Sequence, residues 1–315
     1  MQQILLHRAL RAFLLSLFSL SLSVSFTACG DDEEGEISGS SGGQTGGSGD
    51  VTSETAVRAR LEVPELRADG HTMLVSHFTS ESVNGKSTQV MTYALEYDLD
   101  KCHARWVAFR FDPVTRKQKV SRQNNFRDDP DLPADYRIGS ATFRGYDRGH
   151  ICASADRLYS AAANSNTFYM SNMSPQIGAF NQGYWVTLEA YVQNQGRSAS
   201  FSDTLYVVKG GTIRDDQINT YVSRDNGLRV AVPKYYYMAL LKVKSGVYSS
   251  IAFWMEHKTY TGYDGNRHAP LTEMKKHVVS VNELESLTGI DFFPNLPDAK
   301  EESIEGQKVP AAWGL

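Results

Sequence analysis

From Gln89 to Tyr97 the side chains alternate, with Tyr93, Leu95 and Tyr97 on one face and Thr92, Ala94 and Glu96 on the other. Arg105–Phe111 repeats the pattern through Val107, Phe109 and Phe111. A period of two, rich in aromatic and β-branched residues, predicts strands. The short link over 98–104 predicts that these two pair antiparallel. Thr204–Val208, Tyr235–Val243 and Ser249–Met255 read as three more strands, with Gly210-Gly211, Asn226-Gly227 and Ser245-Gly246 as turns. Helical patterns are fewer. Ser154–Ala163 opens on a serine cap and closes near Asn164. Tyr184–Gln193 sets Tyr184, Leu188, Tyr191 and Val192 at helical spacing, and Ser280–Leu287 offers Asn282 and Glu285 as a capping pair. Strands with interspersed helices and short turns predict an α+β domain with an antiparallel central sheet and flanking helices.

The N-terminal stretch breaks this pattern. Arg8 and Arg11 precede an apolar run from Ala12 to Phe26, followed by Thr27-Ala28-Cys29-Gly30. A short basic region, an apolar region and small residues before a cut point describe a secretory signal. The cysteine at that point resembles the lipobox of bacterial lipoproteins, with Phe26 where leucine is usual. The resemblance implies a signal peptide over 1–28, a lipid on Cys29 and export to the outer membrane, on its periplasmic or cell-surface face. A plain signal peptide is the alternative. Asp31–Glu36 is acidic and Ser38–Gly49 is almost wholly Gly and Ser. Such a segment buries no apolar surface and predicts a flexible tether. We expect the lipidated Cys and linker over 29–66 and the folded domain over 67–315. No apolar run after residue 28 reaches the roughly 18 residues of a membrane span.

Composition adds limits. The 315 residues are 41% hydrophobic and 22% charged, which is ordinary for a globular chain. The net charge of −4 is uneven: +2 over residues 1–29, −6 over 30–50, and neutral beyond. A neutral body excludes capture of nucleic acid by bulk charge but leaves room for a local basic site. One stands out, with Lys101, Arg105, Arg110, Arg116, Lys117, Lys119, Arg122 and Arg127 opposed within 101–127 by Asp112 alone. A solvated face balanced by Asp128, Asp129, Asp131 and Asp135 is the alternative.

Two motifs carry the chemistry. Residues 147–150 read Asp-Arg-Gly-His. Downstream run Asn172-Met-Ser-Pro175-Gln176, Phe180-Asn181-Gln182-Gly183, Trp185 and Leu188-Glu189. Together they resemble the DNA/RNA non-specific endonucleases, the ββα-metal or His-Me finger nucleases that include endonuclease G. The likeness runs from about Tyr93 to about Pro294 and is loose outside the motifs, at Trp106-Val107-Ala108 and Arg122…Phe126-Arg127…Asp129-Pro130. The family often has Pro three residues after the motif histidine, where this chain has Ala153.

Histidine suits the activation of water, because its reference pKa near ~6.5 leaves much of it neutral at working pH. The resemblance assigns that task to His150. It also implies Asn181 as the sole protein ligand of a metal ion, Mg²⁺ or alternatively Mn²⁺, which keeps most of its waters. Asn181 read without the family is a helix cap. Glu189 lies eight residues on, ~80° round and ~12 Å along an ideal helix, so it is expected to hold a water of the ion rather than the ion. Asp147 and Arg148 are expected to orient the site or reach a phosphate, and Gly149 to permit a backbone geometry other residues dislike.

For the arginine that stabilises the transition state, the resemblance favours Arg122, with Arg127 as rival. Lys117, Lys119 and Arg127 are candidate substrate contacts. With Cys29 set aside, Cys102 and Cys152 are expected to form one disulfide; otherwise Cys152 is a small apolar residue beside the site. The resemblance implies a metal-dependent endonuclease acting on DNA and RNA. The chain carries no helix-turn-helix or zinc-finger reader of base sequence. A non-catalytic surface lipoprotein that kept the fold and binds nucleic acid or another partner is the alternative.

Overall fold

The computed structural model describes residues 50–263 and 271–315. The expected signal segment, Cys29 and the Gly/Ser tract lie outside the described residues. Seven strands form one antiparallel sheet: β1 (Thr72–Val83), β2 (Lys86–Asp98), β3 (His103–Phe111), β6 (Thr204–Gly211), β9 (Tyr235–Lys244), β10 (Val247–Glu256) and β11 (Val278–Val279), in that spatial order. Two hairpins stand apart from it, β4 (Asp147–His150) with β5 (Met173–Gln176), and β7 (Ile218–Ser223) with β8 (Arg229–Pro233). The described helices are α1 (Glu54–Arg58), α2 (Ala161–Asn166), α3 (Val186–Arg197), α4 (Thr272–Lys276), α5 (Val281–Thr288) and α6 (Asp298–Glu305). The α+β expectation holds, and each of the five expected strands is present.

The alternation in β2 and β3 divides the core. Tyr93, Leu95, Tyr97, Val107, Phe109 and Phe111 pack on one side of the sheet with Ile151, Met173 and Leu188. Met91, Ala94, Trp106 and Ala108 pack on the other with Val281, Leu284 and Phe292. Both faces are therefore covered, and Glu96 is buried against Arg105 at 2.5 Å. Val57 and Val63 join the second core. This moves the start of the folded body from the expected residue 67 to residue 50, because burying these side chains anchors the segment before β1.

Local chemistry revised several elements. Ser154–Ala163 is not one helix. It is a 3-10 turn over Ser154–Arg157 and then α2, whose cap is Ser160, because Asp156 turns back to accept from Ala153 N at 2.9 Å. The helix expected over Tyr184–Gln193 is preceded by a π-helical turn, Phe180–Trp185, that runs into α3. The capping box of α5 is Ser280 with Glu283, not Asn282 with Glu285; Glu285 instead accepts from Phe292 N. Gly210-Gly211 is not a turn but the end of β6. A β-carbon on Gly210 would stand 2.3 Å from the Tyr237 hydroxyl, and one on Gly211 2.4 Å from Pro233. Strand β1 escaped the sequence reading, because two of its three buried positions, His77 and Thr79, are polar and its tip is exposed.

Candidate active site

Hairpin β4–β5 followed by α3 builds the site. Asp147 pairs with Gln176 and His150 with Met173 across the hairpin, and the π turn brings Asn181 back beside Asp147. A wide turn inserted before an α-helix re-aims the side chains it carries, a device frequent at functional sites. His150, Arg122, Arg148, Asn181, Gln182 and Glu189 line one open cavity of about 330 Å³. The π turn departs from ideal helix geometry between Asn181 and Glu189, and both residues line the same cavity. Asn181 is not a helix cap: it lies within the π turn, which starts after Ala179, and its Nδ2 donates to Asp147 Oδ2 at 2.9 Å.

His150 is buried and packed edge-on against Phe168, with Phe126 tilted beside it. Its Nε2 has no hydrogen-bond partner among the described residues. Burial first, then the charges of Arg122, Arg148 and Lys209, push its pKa down to about 3. The imidazole is therefore neutral at neutral pH, the form a base requires. Glu189 is buried at the cavity wall, its Oε1 4.0 Å from Lys209 Nζ.

Asp147 Oδ2 also accepts from Gln182 Nε2 at 2.8 Å. An ionised carboxylate only accepts, so it fixes the Asn181 amide with Oδ1 as the atom offered to a cation. An amide oxygen, a nearby carboxylate and space for several waters at roughly 30 Å³ each fit a hard, strongly hydrated divalent ion. Among the described residues His77, Asp129 and Asp131 also bring ligand atoms within 4.8 Å of one another and could hold a metal. They do not line the cavity. His77 Nε2 lies 2.9 Å from Asp129 and its Nδ1 3.3 Å from Asp131, so both ring nitrogens are engaged in bracing β1 against the 129–131 turn.

Of the two rival arginines, the structure brings Arg122 to the cavity, where Nη1 donates to Ser154 Oγ at 2.9 Å. Arg127 is held away by the Ser165 carbonyl (2.8 Å) and the Tyr169 ring (4.0 Å to its centroid). Arg148 lies 3.6 Å above the Phe126 ring and donates to Ser140 O at 2.7 Å. Lys117 and Lys119 are exposed and outside the cavity lining. The basic stretch is otherwise largely committed: Lys101 pairs with Asp215, Arg105 with Glu96, Arg110 with Asp112, and Arg116 donates to the carbonyls of Ser202 and Asp203. Its compensation comes from folding partners, not from the Asp128–Asp135 run.

Gly149 is required by close approach rather than by an unusual backbone angle. A β-carbon there would stand 2.1 Å from Gln176 Oε1. The expected Cys102–Cys152 disulfide is not formed; both thiols are buried and free. Cys102 sits in the β2–β3 turn with Sγ 3.6 Å from Leu99 O, and Cys152 N is bonded to Asn172 Oδ1. Burial raises both thiols, Cys102 to about 11, which leaves them unreactive small core residues. Sequence reasoning missed Phe126, Phe168, Ser154 and Lys209 as parts of the site. Lys209 left a signal, as a lysine directly after the apolar run Leu205–Val208 and before Gly210.

The DNA/RNA non-specific endonuclease family model matches residues 73–299. A Nostoc sp. nuclease is 33% identical over 221 residues, covering 68% of this chain and 76% of its own. Human mitochondrial endonuclease G is 30% identical over 216 residues, covering 65% and 68%. The fold is similar to a crystal structure of the EndoG/EndoGI complex, with a TM-score of 0.54 and 23% identity over 75% of this chain and 93% of that one. A constellation built on the Asp-Arg-Gly-His hairpin and a match over most of the folded body agree: the chain is an endonuclease belonging to the DNA/RNA non-specific endonuclease family.

Proposed function

We propose that the chain hydrolyses phosphodiester bonds of DNA and RNA without sequence preference, with His150 as general base and a divalent cation, Mg²⁺ or Mn²⁺, held by Asn181. The observation that carries this reading is the shared cavity. A neutral imidazole, an amide oxygen fixed by Asp147, a buried carboxylate and two guanidinium groups line it together. His150 accepts the proton of the attacking water. The pKa of about 3 reflects burial and the nearby cationic charges; an incoming phosphodiester anion offsets those charges and raises it towards the working range. Arg122 meets charge that develops on the phosphoryl oxygens, and Arg148, held flat by Phe126, binds the flanking backbone. Glu189 orients water beside Asn181. The cation, when bound, supplies further stabilisation of phosphoryl charge.

Base sequence is not read by any of these groups, which accounts for a lack of sequence preference. The lipobox resemblance at Cys29 completes the proposal: a nuclease anchored to the outer membrane through a lipid, with its body on a flexible tether. The test is digestion of plasmid DNA and of RNA by residues 50–315 with Mg²⁺, then with EDTA, beside His150→Ala. We expect both polymers to be cut, EDTA to stop cleavage, and His150→Ala to lose ~10²-fold or more, as loss of general-base catalysis gives. Undiminished cleavage by a folded His150→Ala protein overturns the assignment.

A further inference from the structure

We infer that Lys209, buried under the cavity, is a positioning residue of the nuclease site, its ammonium shared between Asp156 and Glu189 so that it fixes two walls at once. This rests on the proposed role of Glu189. Lys209 continues the row Leu205, Val207 on β6, whose side chains enter the core beneath the site. Its side chain and that of Asp156 are wholly buried, with Nζ 2.7 Å from Asp156 Oδ2 and 4.0 Å from Glu189 Oε1. Desolvating an ammonium costs several kcal/mol, and hydrophobic residues replace such pairs at little cost to stability. A lysine here is thus an expensive way to hold a sheet together, but an effective way to hold a carboxylate.

Asp156 transmits the second half of the effect. Its Oδ2 also accepts from Ala153 N (2.9 Å) and its Oδ1 from Gln193 Nε2 on α3 (3.0 Å). The turn so pinned presents Ser154, which accepts from Arg122. One buried cation therefore sets the distance between the Glu189 wall and the Arg122 wall. Burial alone would lower the Lys209 pKa, but Asp156 and Glu189 outweigh it and hold the ammonium charged.

The experiment compares Lys209→Met and the paired Lys209→Met/Asp156→Asn in wild-type and Glu189→Gln backgrounds, with His150→Ala alongside. The paired variant removes both partners of the wholly buried pair and so avoids the bare Asp156 carboxylate of the single one; the Asn oxygen keeps the bond from Ala153 N, and the Gln193 amide turns to accept from its Nδ2. We expect kcat on a short duplex to fall ~10–100-fold, as loss of outer support at metal sites gives, with KM little changed. In the Glu189→Gln background the same change should cost less than in wild type, leaving only the part carried through Asp156 to the Arg122 wall, since effects that share a group are not additive. The inference is overturned if the folded paired variant keeps wild-type kcat, or if its loss simply multiplies that of Glu189→Gln. Activity retained by His150→Ala would instead overturn the proposed chemistry; its loss with an active paired variant removes only Lys209.

Discussion

Trp185 Nε1 donates to the backbone carbonyl of His150 at 3.2 Å, tying the residue before α3 to strand β4. Both residues are buried, so the carbonyl gains no water if the indole is removed. Trp185→Phe keeps the ring packing against Phe180 and Tyr236 but orphans that oxygen. We expect a loss of ~1–3 kcal/mol in unfolding free energy and a lower kcat with KM unchanged. Chemical denaturation and steady-state kinetics check both; an unaltered kcat would show that the tie serves stability alone.

The two arginines separate by location. Arg122→Ala removes a guanidinium from the cavity and should lower kcat by ~10²-fold, the scale on which a lost transition-state donor acts. Arg127→Ala removes a brace between the Asn125 and Ser165 carbonyls and should lower Tm while leaving kcat near wild type. Replacing the exposed Lys117 and Lys119 should instead raise KM for long DNA and flatten its salt dependence. An Arg122→Ala effect confined to KM would make it a phosphate anchor.

Acid should destabilise the fold before the carboxylates titrate. Burial lowers His103 and His257 to about 4 and His150 to about 3. Each is depressed below its unfolded value of ~6.5, so the unfolded chain binds more protons between the two values. The stability that the neutral forms contribute is whole above ~6.5 and is lost as pH falls towards each folded value. The loss is on the order of 1–2 kcal/mol per histidine by pH 5. Thermal unfolding at pH 7.5 and pH 5 measures it, and His150→Ala should shallow the slope. A Tm flat across that range would mean that the imidazoles are charged in the native state.

Anchoring is checked by fractionation of cells expressing wild type and Cys29→Ala. Stable membrane attachment takes two or more acyl chains, which a diacylated cysteine has. Wild type should partition into detergent and Cys29→Ala into the soluble fraction; equal release of both would leave an ordinary secreted nuclease.

What the sequence determined by itself was local: the period-two alternation of β2, β3, β6, β9 and β10, and the two motifs carrying His150 and Asn181. Alternation and short motifs are written in neighbouring residues, so reading them needs no partner. The tertiary structure decided whatever depends on a partner far along the chain. Asp156 can be buried in its turn because Lys209, 53 residues on, meets it. Gly149 is glycine because Gln176 crosses it. Within the basic stretch Lys101 and Arg105 pair with acids from other elements and Arg116 and Arg127 bond distant carbonyls, leaving Arg122 at the cavity. Charge and packing act through space at a few ångströms, and sequence separation does not record which groups the fold brings that close.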